Sequence, residues 1–94
     1  MLRVIWTPAA LQDLARLHKF LVSVNVEVPA ARAVLMQLKT APRRLAEQPG
    51  IGSPLPGFAP REVRRIIVGK YELRYEVRPE AVHVLRLWHT RENR

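Results

Sequence analysis

Four arginines and a histidine in the last third of the chain, Arg64, Arg65, Arg74, Arg86 and His89, are of the types that phosphoryl chemistry uses. Scission of an RNA strand needs a base for the 2′-hydroxyl, cations for the charge that develops at phosphorus, and an acid for the leaving 5′-oxygen. The arginines provide cations and His89 an acid, but the set holds no base. The same stretch adds Trp88, Arg91 and Arg94, so that Arg64, Arg86, Trp88, His89, Arg91 and Arg94 form a candidate contact surface for an acidic partner. His18, His83 and His89 stand far apart, with no Cys and no HxH or HxxxH spacing, a pattern that offers no metal site. No cofactor is implied.

Sixteen Lys and Arg against eight Asp and Glu give a net charge of +8, and all of the sixteen except Lys19, Lys39 and Lys70 are arginine. Guanidinium presents a rigid planar fork where ammonium is a point charge, so the bias favours directed contact with carboxylate or phosphate. Both halves of the chain are basic. A length of 94 residues predicts a single domain over 1–94 with a thin core. The absence of cysteine fits a reducing compartment, and the polar residues Arg3 and Asp13 interrupt any leader-like apolar run, so the expected location is the cytoplasm, with no membrane association.

Certain elements must position these residues. Leu2, Val4 and Trp6 alternate as a short strand, and Thr7-Pro8 then reads as a helix cap followed by proline at the first helical position. Leu11, Leu14, Leu17, His18 and Leu21 recur at three and four, which predicts a helix from Pro8 to about Val24 with His18 partly buried at its boundary. Pro29 opens a second helix with Val34, Leu35, Leu38, Ala41 and Leu45 inward. Pro42 ends or kinks it near Thr40, and a short turn continues through Glu47.

From Pro49 to Pro60 the chain reads PGIGSPLPGFAP, an ordered, irregular connector without a charged side chain. Strand signals resume at Glu62. After the Val68-Gly69-Lys70 turn, Tyr71, Leu73, Tyr75 and Val77 alternate with charged residues, which predicts a strand buried on one face with both tyrosines in the core. Pro79 marks the next turn. The last strand, AVHVLRLW, is apolar on both faces, with Leu85 and Leu87 expected on one and Val82, Val84 and Trp88 on the other, Trp88 being the better candidate for an exposed aromatic. The predicted fold is α+β, in the order β-α-α-β-β-β. A helical hairpin covers one face of a small, mostly antiparallel sheet; partner burial or long arginine stems cover the other.

Over essentially the whole chain this layout, with the wording REVRRIIVGKYELRYEV and VHVLRLWHTRE, resembles the RelE/ParE superfamily of toxins from bacterial type II toxin-antitoxin modules. The resemblance implies growth arrest and neutralisation by a cognate antitoxin, small, acidic and with a helical tail. It also implies one of two targets, the ribosome for RelE-like messenger RNA endonucleases or DNA gyrase for ParE-like inhibitors. Ribonuclease branches place lysines or a glutamate in the connector and an arginine in the middle strand. Here 49–60 offers neither, and the middle-strand position, aligned on Leu73-Arg74-Tyr75, is Glu72. The favoured expectation is therefore a plasmid-stabilisation toxin that inhibits gyrase by binding. The alternatives are a ribosome-dependent endoribonuclease using His89, Arg64, Arg65, Arg74 and Arg86, and a small basic domain that merely binds nucleic acid.

Overall fold

The computed structural model describes residues 2–92; Arg94 of the candidate contact surface lies outside the described residues. Strand β1 (Arg3–Trp6) leads into α1 (Pro8–Ser23), α2 (Val28–Thr40) and the short α3 (Pro42–Glu47). Beyond a 3-10 turn, the two-residue β2 (Ser53–Pro54) and a second 3-10 turn come β3 (Glu62–Val68), β4 (Tyr71–Val77) and β5 (Ala81–His89). The five strands form one sheet in the order β1-β5-β4-β3-β2, parallel between β1 and β5 and antiparallel elsewhere. Among the described residues no helix is long and apolar enough to cross a membrane.

Local sequence explains where the helices begin and stop. The Thr7 hydroxyl accepts from the Ala10 N–H and Pro8 stands at the first helical position, as expected from the Thr-Pro pair. At the other end of α1 Asn25 adopts φ +59°, the Asn25 N–H donates to the Val22 carbonyl and the Val26 N–H to that of Leu21. This reverse turn satisfies carbonyls that a helix end leaves unpaired, and Asn tolerates the left-handed conformation better than most residues. Pro42 separates α2 from α3, since proline fits a first helical turn but not a helix interior.

The core lies between the helices and one sheet face. Ala10, Leu17, Leu38 and Leu45 pack against Tyr71, Leu73, Tyr75, Val82, Val84 and Leu87. Each fully buried leucine there contributes about 2 kcal/mol of transfer free energy. The inward stripe of α1 keeps Leu14, Leu17 and Leu21 of the predicted set but is rotated from it. Leu11 and His18 are exposed, whereas Ala10, Asp13, Leu17 and Leu21 are buried. A carboxylate thus occupies a core-facing helical position.

The faces of β5 also differ from the alternation read in the sequence. Tyr75 pairs with Val84 but Arg74 pairs with Arg86, so Leu85 has no partner across the ladder. This β-bulge resets the alternation: Val82, Val84 and Leu87 all face the helices, and Trp88 faces away. Strand β4 is buried on both faces, since Glu72 and Glu76 are as buried as Leu73 and Tyr75. The single-sided burial expected for it is therefore corrected.

Candidate functional site

Cross-strand partners share a face, so the register defines the helix-free side of the sheet. It carries Glu72 opposite Trp88, Arg74 opposite Arg86 and Arg65, and Glu76 opposite His83 and Val63. No helix covers these residues, yet Trp88 is only 8% exposed and is not the exposed aromatic expected. The guanidinium carbons of Arg74 and Arg86 sit 4.6 and 5.0 Å from its ring centroid. Phe58, from the connector, has the Arg61 and Arg74 guanidiniums at 5.9 and 6.0 Å. Arginine stems and cation–π contacts replace the missing layer.

Two buried glutamates hold these arginines. Glu72 pairs with Arg74 at 3.2 Å and Arg65 at 3.4 Å; Glu76 takes Arg61 through both Nε and Nη2 (3.2 and 2.8 Å) and pairs with Arg78 at 3.3 Å. The Arg61 hydrogen bond, against the opposing effect of burial and with help from Arg78, pulls the Glu76 carboxyl down to about 2. Because the folded-state value lies below the ordinary 4.5, the associated stability is present above that value and is lost as pH falls toward 2. Acid titration followed by circular dichroism is expected to show loss of fold between about pH 5 and 2, with about 2–3 kcal/mol traceable to Glu76. Glu76→Gln should flatten that profile.

Asp13 reaches the bulge from α1. Its carboxylate accepts from the Leu87 N–H (2.9 Å), from Arg86 Nε and Nη2 (2.7 and 3.1 Å) and from Arg16 Nη2 (3.1 Å). Burial pushes its pKa up, but these donors together outweigh that and hold it below the usual carboxylate range. Beyond the end of β1, the edge of β5 is closed by side chains: the Thr7 hydroxyl donates to the Val84 and Leu85 carbonyls and Arg16 to that of Leu87. The Glu92 carboxylate accepts from the His89 N–H and from Arg16. Asp13 escaped sequence reasoning because a lone acid on an amphipathic helix reads as solvated; only the bulge it serves gives it a role.

The structure divides the residues singled out in the sequence. Arg65, Arg74, Arg86 and Trp88 share the helix-free face. Arg64, opposite Tyr75, lies on the other side, where its Nη1 donates to the Gly50 and Gly52 carbonyls and its Nε pairs with Glu62. The expected four-arginine cluster therefore lacks Arg64. His89, opposite Tyr71, also faces the helix side; its ring meets the tyrosine edge-on at 5.3 Å and Nδ1 accepts from the Arg91 N–H at 3.1 Å. Arg91 is exposed at the tip. Neither tyrosine is a stacking platform: Tyr71 and Tyr75 are buried as expected.

At the opposite edge, β2 covers β3 only at Arg64 and Arg65. A cavity of ≈ 730 Å³ opens beside it, lined by Gln37, Arg44, Leu45, Ile51, Ile66 and Val68 among others. The connector is pinned there by Tyr75, whose hydroxyl accepts from the Gly52 N–H (2.9 Å) and donates to the Pro49 carbonyl (2.8 Å).

The model of the family described as "ParE toxin of type II toxin-antitoxin system, parDE" matches residues 4–94. Toxin RelE2 of Caulobacter vibrioides is 35% identical over 89 residues, which cover 95% of this chain and 96% of that protein. A solved structure, "Chromosomal ParDE TA system from P. aeruginosa", superposes with a TM-score of 0.77 over 95% of this chain and 96% of that one; at 19% identity it is a likeness of fold. Helices on one side of a bulged sheet and wording shared along nearly its full length place this chain in the ParE toxin family of type II toxin-antitoxin systems.

Proposed function

We propose that this toxin, a single domain over 1–94, arrests growth in the cytoplasm by binding DNA gyrase and breaks no bond itself. The observation that carries the reading is the placement of His89 on one face of the sheet and of Arg65, Arg74 and Arg86 on the other, with Arg64 turned to the Gly50 and Gly52 carbonyls. A proton donor for a leaving 5′-oxygen has to lie within hydrogen-bond reach of the phosphate that the cations hold, and here the sheet stands between them. Glu72, the carboxylate nearest Arg65 and Arg74, is buried and engaged by both, which leaves it a poor base. Arg86, Trp88 and Arg91, with Arg94, remain the proposed contact surface, and the cavity beside β3, lined by Leu45, Ile51 and Ile66 together with Gln37 and Arg44, suits a segment of the cognate antitoxin.

A second reading, the ribosome-dependent messenger RNA endonuclease, draws support from the name of the relative, Toxin RelE2. One experiment separates the two. The purified chain is expected to block supercoiling by purified gyrase, relieved by its antitoxin, and to leave transcripts intact on translating ribosomes. Specific transcript cleavage with unimpeded supercoiling would reverse the assignment.

A further inference from the structure

Charge on the helix-free face is layered. Glu72 and Glu76 on this face, and Asp13, which reaches Arg86 from α1 at the edge of β5, are 1, 5 and 4% exposed, whereas the side chains of Arg61, Arg65, Arg78 and Arg86 that they hold are 45–51% exposed. On the face itself Arg61, Arg65, Arg74 and Arg78 stand over Glu72 and Glu76, with Arg86 beside them, so solvent meets an excess of positive charge. Both glutamates bind two arginines each, which restricts rotamers that a free arginine would have to give up on binding. The Arg61 and Arg86 forks each turn Nε and one Nη toward a carboxylate and leave the other Nη without a partner among the described residues, so each offers a directed donor rather than a full fork.

We propose that this face docks an acidic protein segment of the toxin's target, with Asp or Glu side chains meeting Arg61, Arg65, Arg78 and Arg86. The proposal rests on the reading of the chain as a binding toxin and names the chemistry of what it binds. Single-stranded nucleic acid is the competing polyanion, and the rings decide against it. Nucleic-acid platforms expose aromatic faces for bases to stack on, whereas guanidiniums already lie over Trp88 and Phe58. A carboxylate-bearing chain needs no such ring. Of the arginines on this face the cavity beside β3 touches only Arg65, so an antitoxin segment there leaves Arg61, Arg78 and Arg86 open.

The test uses the full chain and two double variants of equal charge, Arg65→Glu with Arg78→Glu on the face, and Arg32→Glu with Arg43→Glu on exposed helical positions. A labelled polyglutamate peptide is expected to bind the wild type and the helical variant alike and the face variant roughly tenfold more weakly. Arg65→Gln with Arg78→Gln, which adds no repulsion, should keep that order with a smaller loss. Gyrase inhibition should fall with peptide binding across the series. Equal weakening in the face and helical variants overturns the proposal. So does an oligothymidylate of the same charge that binds through the face when the peptide does not. Wild-type protein that binds the peptide through this face yet leaves gyrase uninhibited supports the acidic chemistry and removes gyrase as the target.

Discussion

Asp13→Ala is expected to lower the stability of the folded chain by about 2–4 kcal/mol, more than any other single surface-proximal change. The carboxylate is the partner of a buried backbone N–H at the bulge and of two guanidiniums, and alanine replaces none of these bonds. The figure is centred lower than is usual for a broken buried pair because Arg16 and Arg86 are half exposed and water can reach them. Asp13→Asn retains an acceptor oxygen and should lose less. Urea unfolding with an unchanged slope would measure both. A loss under about 1 kcal/mol for alanine would mean that water replaces the carboxylate at the bulge.

Gly52→Ala is the second large effect, expected to cost about 3 kcal/mol. A Cβ at this position would fall 2.5 Å from the Tyr75 hydroxyl oxygen and 2.7 Å from the Arg65 carbonyl oxygen, both inside contact distance. The carbonyl belongs to a paired strand and cannot withdraw without breaking the ladder. Tyr75→Phe alone should cost about 1–2 kcal/mol, because the Gly52 N–H and the Pro49 carbonyl lose their partner. The double variant should then lose less than the sum, since phenylalanine removes the closest of three clashes and leaves those with the ring Cε1 and the Arg65 carbonyl. Thermal unfolding of the three variants gives the coupling directly, and strict additivity would show that Tyr75 does not fix the connector.

The helices were legible because their signals are local: Thr7-Pro8 caps α1, Pro42 divides α2 from α3, and the spacing of Leu14, Leu17 and Leu21 names the buried side. The hairpins were legible for the same reason, from Gly69 and Pro79. What stayed hidden depends on contacts across the chain. A bulge at Leu85 has no sequence mark, and without it Val84 and Leu87 appear to lie on opposite faces. Strand β4 read as solvated on its charged side because alternation reports polarity and not burial; a glutamate clamped between two arginines under their stems looks the same in sequence as one in water. For the site, the arginine content was plain, but which arginines share a face followed from register. Arg64 and Arg65 are neighbours in sequence and belong to different sides of the sheet.

The parallel pairing of β1 with β5 joins residues 3–6 to residues 81–84. Such non-local closure is slow to form, because the intervening chain has to lose its freedom before the contact rewards it. Synthesis proceeds from the amino end, so β5, which lies between β1 and β4 in the finished sheet, is made after both of its neighbours. The native sheet therefore cannot close on a polypeptide that lacks residues 81–84.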